Sequence, residues 1–113
     1  MIQTLIQVAK HLGNNTGNLP VVYIAGKVTD LPYSEVWTKF KTKQVELEAK
    51  GFFVLNPCEF ISEHEDWKTA MRTAVIMLAV SVNICLLDDW FESKGATLER
   101  NLALPLGINT MED

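Results

Sequence analysis

The chain has 113 residues, of which 48% are hydrophobic and 21% charged, and these proportions exclude a disordered or fibrous protein. Its length suits a single domain rather than two. Ten basic and fourteen acidic residues give a net charge of −4 with no visible basic stripe, so we do not expect a nucleic acid polymer as partner.

No stretch of the sequence predicts contact with a membrane. The longest uncharged run, residues 73–87, has 15 residues, fewer than the roughly 20 that a bilayer span requires. Residues 1–12 lack the basic start of a signal peptide. Cys58 and Cys85 lie far apart without the spacing of metal ligands, so we expect a reducing, cytoplasmic setting and no metal site.

Three short apolar runs predict buried parallel strands, because none of them alternates with polar residues. The runs cover residues 21–25, 52–55 and 82–87. Residues 108–110 predict a very short fourth strand after Gly107.

Helical spacing of apolar residues predicts four helices: residues 2–12, a segment from Ser34 through Lys50, a third after Asp66, and a fourth near Ala96 that ends before Pro105. Ser34 and Asp66 are the expected N-terminal caps, and Gly51 is the expected C-terminal glycine. His11 is expected on the surface of the first helix.

This alternation of strands and helices predicts an α/β domain of three layers, with a parallel sheet covered by helices on both faces. Residues 1–113 form one domain in this interpretation, and residues 1–20 add a helix and a loop before its first strand. Ligands of such sheets lie beyond the carboxyl ends of the strands. The loops 26–33, 56–65 and 88–96 are therefore the candidate binding segments.

The motifs GxGxxG, GxxxxGK[ST] and GxSxG are absent, which removes the main support for dinucleotide, P-loop and hydrolase functions. The most informative segment is 87–99. Ser93, Gly95 and the backbone amides of 95–97 would lie at a helix N-terminus, which suits a phosphate or sugar hydroxyls. Glu99 follows about one turn later, where the helix dipole favours an ionised carboxylate, as covalent glycosyl transfer requires. The alternative is an ordinary helix glutamate.

Several other polar residues near the strand ends have two interpretations each. Tyr23 is a core tyrosine or orients Glu99, and Lys27 is solvated or binds an anion. Trp90 stacks on a base or covers the end of the sheet. Asp88, like its neighbour Asp89, binds sugar hydroxyls, acts as an acid, or only forms the turn.

Residues 21–108 carry a series of short motifs in a fixed order: Tyr23-Ile-Ala-Gly26, Asn56-Pro57, Trp67 with Met71-Arg72, Leu86-Leu87, Trp90, Ser93-Lys-Gly-Ala, Glu99, Leu102-Ala103 and Leu106-Gly107. Their order and spacing resemble those of small bacterial and phage domains related to nucleoside 2-deoxyribosyltransferases and 2′-deoxynucleoside 5′-phosphate N-glycosidases. The resemblance implies a flavodoxin-like or Rossmann-like sheet, cleavage of the bond between a nucleobase and C1′ of a (deoxy)ribose, no cofactor, and a homodimer or larger assembly.

The resemblance also implies roles for individual residues. Glu99 would be the nucleophile, Tyr23 would position it, and Asp88 is the in-chain candidate for sugar contact or proton donation. Ser93 stands where the transferases usually carry an aspartate, and it matches the serine that receives the phosphate in the monophosphate glycosidases. The residues expected near a 5′-phosphate are Gly26, Lys27, Thr29, Ser93 and Gly95, with Trp90 as a further substrate contact.

One departure weakens the expectation of turnover. Enzymes of the family often carry an aspartate about where this chain has Ala74. The sequence thus predicts an N-glycosidase or deoxyribosyltransferase acting on a nucleoside or its 5′-monophosphate. The alternatives are a non-catalytic nucleotide-binding module and a structural domain with a relic pocket.

Overall fold

The computed structural model describes residues 2–112, and within them the chain alternates between helices and strands. The helices are α1 (Ile2–Gly13), α2 (Tyr33–Ala49), α3 (Trp67–Ala79) and α4 (Lys94–Ala103). The strands are β1 (Val21–Ala25), β2 (Phe53–Leu55), β3 (Asn83–Leu86) and β4 (Asn109–Glu112). Single 3-10 turns at Pro57–Glu59 and Trp90–Glu92 follow β2 and β3.

The four strands form one parallel sheet in the order β2–β1–β3–β4. Tyr23 of β1 pairs with Leu55 on one side and with Ile84 on the other. The chain leaves β1 towards β2 and leaves β3 towards β4, so the two connections diverge between β1 and β3. A crevice at the carboxyl ends of these two strands is the expected ligand site of such a sheet.

Helices cover both faces of the sheet, which confirms the predicted three-layer α/β class. On one face α2 packs Val36, Phe40 and Leu47 against the sheet. On the other face the buried side chains come from α1, α3 and α4: Val8, Ala74, Met77, Leu78, Ala96 and Ala103. Burial of these side chains on both sides explains why the predicted strands are apolar throughout rather than alternating.

One residue of the first helix, His11, is less exposed than predicted. His11 was expected on the surface, but its ring packs 4.7 Å from the ring of Phe53 and 5.4 Å from that of Phe60, centroid to centroid. Its Nε2–H donates to the carbonyl of Val54 over 3.2 Å. The prediction for His11 was wrong because the histidine satisfies its polar edge on the sheet while its ring joins an aromatic cluster.

Two further local predictions are corrected and two are confirmed. Helix α2 begins at Tyr33, two residues before the Glu35 that a Ser34 cap implies. Pro32 rather than Ser34 occupies the capping position, and its carbonyl accepts from the amides of Glu35 and Val36. Strand β4 extends two residues beyond the predicted segment. Asp66 caps α3 as predicted by accepting from the amide of Thr69, and Gly51 has the expected positive φ, 92°.

None of the helices in residues 2–112 is both long enough and apolar enough to cross a membrane.

Candidate functional site

A cavity of about 450 Å³ opens beyond the carboxyl ends of β1 and β3, at the point where the chain connections diverge. This volume lies within the range of small-molecule sites, roughly 300–1,000 Å³. Its walls come from the end of β1 and the loop after it, the connector after β2, and the helices α3 and α4. All three segments singled out by the sequence, 26–33, 56–65 and 88–96, contribute at least one lining residue.

The floor of the cavity holds a buried pair formed by Glu99 of α4 and Tyr23 of β1. The Tyr23 hydroxyl donates to Glu99 Oε2 over 2.5 Å. Glu99 is 4% exposed and Tyr23 2% exposed. Both residues nevertheless line the cavity, so a carboxylate oxygen faces the space that a ligand would occupy.

Burial changes the charge state expected for Glu99. The residue lies about one turn into α4, as predicted, but loss of hydration raises its pKa from 4.5 to about 7, although the hydrogen bond from Tyr23 opposes the shift. The expectation that the helix dipole favours the ionised form was therefore wrong, because desolvation outweighs the dipole at this depth. A carboxyl with this pKa is present in both protonation states near neutral pH, as catalytic carboxyls commonly are.

The Tyr23 hydroxyl holds its proton firmly. Burial and the neighbouring Glu99 carboxylate raise the pKa of Tyr23 well above its ordinary value of 10.0. Tyr23 is therefore a hydrogen-bond donor that orients one carboxylate oxygen, and it leaves the other oxygen available for chemistry.

The N-terminus of α4 forms another part of the wall. Ser93 caps the helix, since its hydroxyl oxygen accepts from the amide of Ala96 over 3.1 Å, and its O–H proton remains able to donate. A Cβ on Gly95 would lie 3.0 Å from Met71 Sδ, so a larger residue would require the Met71 side chain to move aside. Small neutral donors therefore occupy this end of the cavity.

Gly26 and Thr29, both predicted to bind substrate, also line the cavity. A Cβ on Gly26 would come within 2.6 Å of the Leu87 side chain, so glycine allows the end of β1 to pack closely against the end of β3.

Three of the predicted site residues do not line the cavity. Lys27 directs its ammonium to Glu92, 3.4 Å away, and Asp88 is exposed. Trp90 packs against the core, with the Arg100 guanidinium 5.6 Å from its ring centroid. For Trp90 this position fits the alternative that it covers the end of the sheet.

Asp89 ties two of the site loops together. Its carboxylate accepts from the Lys39 ammonium over 2.5 Å and from the Lys27 amide over 3.0 Å. Partial burial opposes ionisation of this carboxyl, but the two hydrogen bonds prevail and hold its pKa below the usual 3.8. The aspartate thus fixes the loop after β1 to the loop after β3, which keeps Gly26 and Ser93 on one rim.

Several lining residues have no site role predicted from the sequence, namely Asp30, Tyr33, Cys58, Ile61, Glu63, Glu65 and Ala70. Trp67 and Met71 also line the cavity, and the sequence marked them only as part of the family pattern. Cys58 is inert as a nucleophile, since burial raises the pKa of its thiol to about 11. The connector 56–65 is a predicted binding segment because it follows a strand. Nothing in its composition distinguishes the side chains that line the cavity from those that face solvent.

Comparison with known families gives one match, and comparison with curated proteins gives none. Residues 20–112 match the family model described as a domain of unknown function, DUF4406. The match begins at the start of β1 and includes the whole cavity, while α1 precedes it. Since the matched segment spans most of the sequence, the chain belongs to the DUF4406 family.

Proposed function

We propose that this domain cleaves the bond between a nucleobase and C1′ of a (deoxy)ribose, as an N-glycosidase or a 2-deoxyribosyltransferase. The observation that carries the proposal is a buried, cavity-facing glutamate held by a tyrosine hydroxyl 2.5 Å away. A buried carboxylate that is held in place by a hydrogen bond suits the role of the nucleophile in retaining glycosyl transfer. The resemblance to nucleoside 2-deoxyribosyltransferases supports the same assignment.

The reaction would proceed in two steps. The free oxygen of Glu99 attacks C1′, and the C1′–N bond breaks with its electron pair going to the base. Water or an N–H of a second base then attacks C1′, and the bond from C1′ to Glu99 breaks with its electron pair returning to the carboxylate. The proton that the attacking group loses goes to the departed base through solvent. Tyr23 keeps the carboxylate in line for both steps. The small donors at the N-terminus of α4 suit the 5′ end of the sugar.

The test is base release from a panel of nucleosides and 5′-monophosphates, followed by chromatography. Free base without a second base in the mixture indicates hydrolysis, and a new nucleoside in the presence of a second base indicates transfer. Absence of both products from every substrate contradicts the proposal.

A non-catalytic nucleotide-binding module is the second candidate, and Ala74 is the observation that favours it. The wall formed by α3 consists of Trp67, Ala70, Met71 and Ala74, so this helix offers no carboxyl to protonate a departing base. Saturable nucleotide binding without base release would support this candidate.

The 5′-monophosphate of a given nucleoside is expected to bind more tightly than the nucleoside, as Ser93 predicts. We expect a gain of about fivefold or less, because a helix N-terminus contributes about 0.3–1 kcal/mol and no cationic side chain assists among the lining residues described. Calorimetry with matched pairs measures the difference.

Two variants separate the contributions to that preference. Ser93→Asp retains a good helix cap but places a carboxylate near the phosphate, so it should reverse the preference. Lys27→Ala should leave it unchanged, because the Lys27 ammonium pairs with Glu92. Equal affinities of the wild type for the nucleoside and its monophosphate would show that Ser93 does not bind phosphate.

We also propose that the protein forms a homodimer or a larger assembly. Trp37 is 44% exposed, Trp67 40% and Ile2 73%, and large apolar side chains of this kind are commonly buried between subunits. Light scattering at micromolar protein should give at least twice the mass of one chain. A mass of one chain at that concentration contradicts the proposal.

A further inference from the structure

The walls of the cavity are acidic. The lining residues that the structure describes include four carboxyl side chains, Asp30, Glu63, Glu65 and Glu99, and no lysine, arginine or histidine. The first three are exposed at the mouth, and Glu99 is buried at the floor. These carboxyls attract positive charge, whereas the amides at the N-terminus of α4 are the part of the lining that suits an anion.

Two lysines in the flanking segments pair with carboxylates outside the lining, and a third lies over the ring of a lining tryptophan. The ammonium of Lys27 lies 3.4 Å from Glu92, and that of Lys39 lies 2.5 Å from Asp89. The ammonium of Lys94 lies over the ring of Trp67, 4.5 Å from its centroid. These contacts leave the acidic lining without a lysine partner from those three positions.

Apart from Glu99 itself and the three exposed carboxyls at the mouth, the described lining offers no carboxylic acid that could protonate a neutral leaving group. A neutral base that departs from C1′ gains an electron pair on nitrogen and needs a proton. Asp88, the in-chain candidate, is exposed and outside the lining. The neutral donors in the lining are weak acids, since burial raises the pKa of the Tyr33 hydroxyl above 10.0 and that of the Cys58 thiol to about 11.

We infer that the preferred ligands of this cavity are nucleosides whose base carries a fixed positive charge, such as a pyridinium or an N7-alkylpurinium ring. The inference rests on the proposed function and narrows its substrate class. When Glu99 attacks C1′ of such a nucleoside, the C1′–N bond breaks. Its electron pair goes to the ring nitrogen and cancels the positive charge of the base. The base leaves as a neutral molecule, and no proton is transferred.

The ligand also supplies a positive charge near Glu99, which the described lining of the cavity does not provide. A cation within the cavity favours the ionised form of the buried carboxyl, which is the form that attacks. Binding of the cationic nucleoside should therefore release a proton from Glu99, whereas a neutral nucleoside should release little. Calorimetry in two buffers of different ionisation enthalpy measures that proton.

The main experiment compares two nucleosides of similar shape, nicotinamide riboside, which is a cation, and its neutral 1,4-dihydro form. Glu99→Gln protein, which does not turn over, is used for binding. We expect the cation to bind at least tenfold more tightly. The triple variant Asp30→Asn, Glu63→Gln, Glu65→Gln should reduce that ratio to below threefold while hardly changing the affinity of the neutral form. Glu59→Gln, an exposed acid of the same connector outside the lining, is the matched control and should keep the ratio.

Wild-type base release separates this inference from the proposed function. Release of nicotinamide from the riboside, lowered by the triple variant more than release from neutral nucleosides, supports both. Equal or tighter binding of the neutral form, or a ratio that the triple variant leaves unchanged, overturns the inference even if the protein cleaves nucleosides. A tenfold preference for the cation without base release from any substrate supports the inference that the cavity prefers cationic ligands, and it contradicts the proposed enzymatic activity.

Discussion

Replacing Glu99 with glutamine is expected to abolish base release while the fold persists. Glutamine has the same size and can still accept from the Tyr23 hydroxyl, but its neutral amide cannot form a glycosyl ester with C1′. Loss of the attacking group typically costs several powers of ten in rate, and each power is about 1.4 kcal/mol of barrier. The measurement is the initial rate of base release by wild type and variant on the best substrate of the panel.

Tyr23→Phe and Glu92→Gln complete this experiment. Tyr23→Phe removes the donor that orients the carboxylate but keeps the nucleophile, so activity should fall by less than in Glu99→Gln. Glu92→Gln changes an exposed acid that lies outside the cavity lining, and it should retain activity. Circular dichroism of each variant shows whether the fold is intact. A folded Glu99→Gln protein with full activity would falsify the mechanism.

The parts of the fold that the sequence predicts are those set by local patterns. The strands β1 and β3 are apolar because both of their faces are covered, and a run of such residues can be recognised without knowledge of the neighbours. Strand β4 was predicted too short because it lies at the edge of the sheet and is largely exposed, so its Asn-Thr-Met-Glu sequence carries no apolar signal. The start of α2 was misplaced because both Pro32 and Ser34 are suitable residues for a helix start.

The candidate site was partly predictable for a similar reason. Parallel strands bring the segments after them to one edge, so Gly26 and Ser93 could be placed near each other from the order of elements alone. Side-chain direction could not be read in the same way. Lys27 and Asp88 stand in the expected loops, yet one pairs with Glu92 and the other faces solvent. Their proposed roles depended on an inward orientation that a loop sequence does not encode.

Glu99 shows how tertiary burial overrides a local electrostatic argument. Position in a helix fixes the sign of the dipole effect, which contributes at most about 1 kcal/mol at an exposed site. The depth of the side chain depends on how α4 packs on β1, and the partner Tyr23 is 76 residues away in sequence. Desolvation arises from that packing, and here it raises the pKa of Glu99 instead of lowering it.

The raised pKa of Glu99 predicts that the protein loses stability as pH rises from about 4.5 to about 7. In the unfolded chain the carboxyl ionises near its ordinary pKa, whereas in the folded chain it ionises only near 7, so above pH 7 the folded state carries a buried charge that the unfolded state hydrates. The difference of about 2.5 units corresponds to about 3 kcal/mol. The groups that face Glu99 do not compensate, since Tyr23 stays neutral in this range and the other acids of the lining add no positive charge.

The experiment is urea unfolding of wild type and Glu99→Gln at several pH values between 4 and 8.5, followed by the fluorescence of the three tryptophans. We subtract the free energy of unfolding of the wild type from that of the variant at each pH. The contributions of the other titrating groups cancel in this difference. This difference should be constant below about pH 4.5, rise through the interval up to pH 7, and level off about 3 kcal/mol higher in favour of the variant. A difference that stays flat across the interval would mean that Glu99 ionises alike in both states, and a fall would mean that a cation stabilises the carboxylate in the folded protein. Either result would remove the physical basis for a ligand-supplied positive charge, because Glu99 would then be ionised before any ligand arrives.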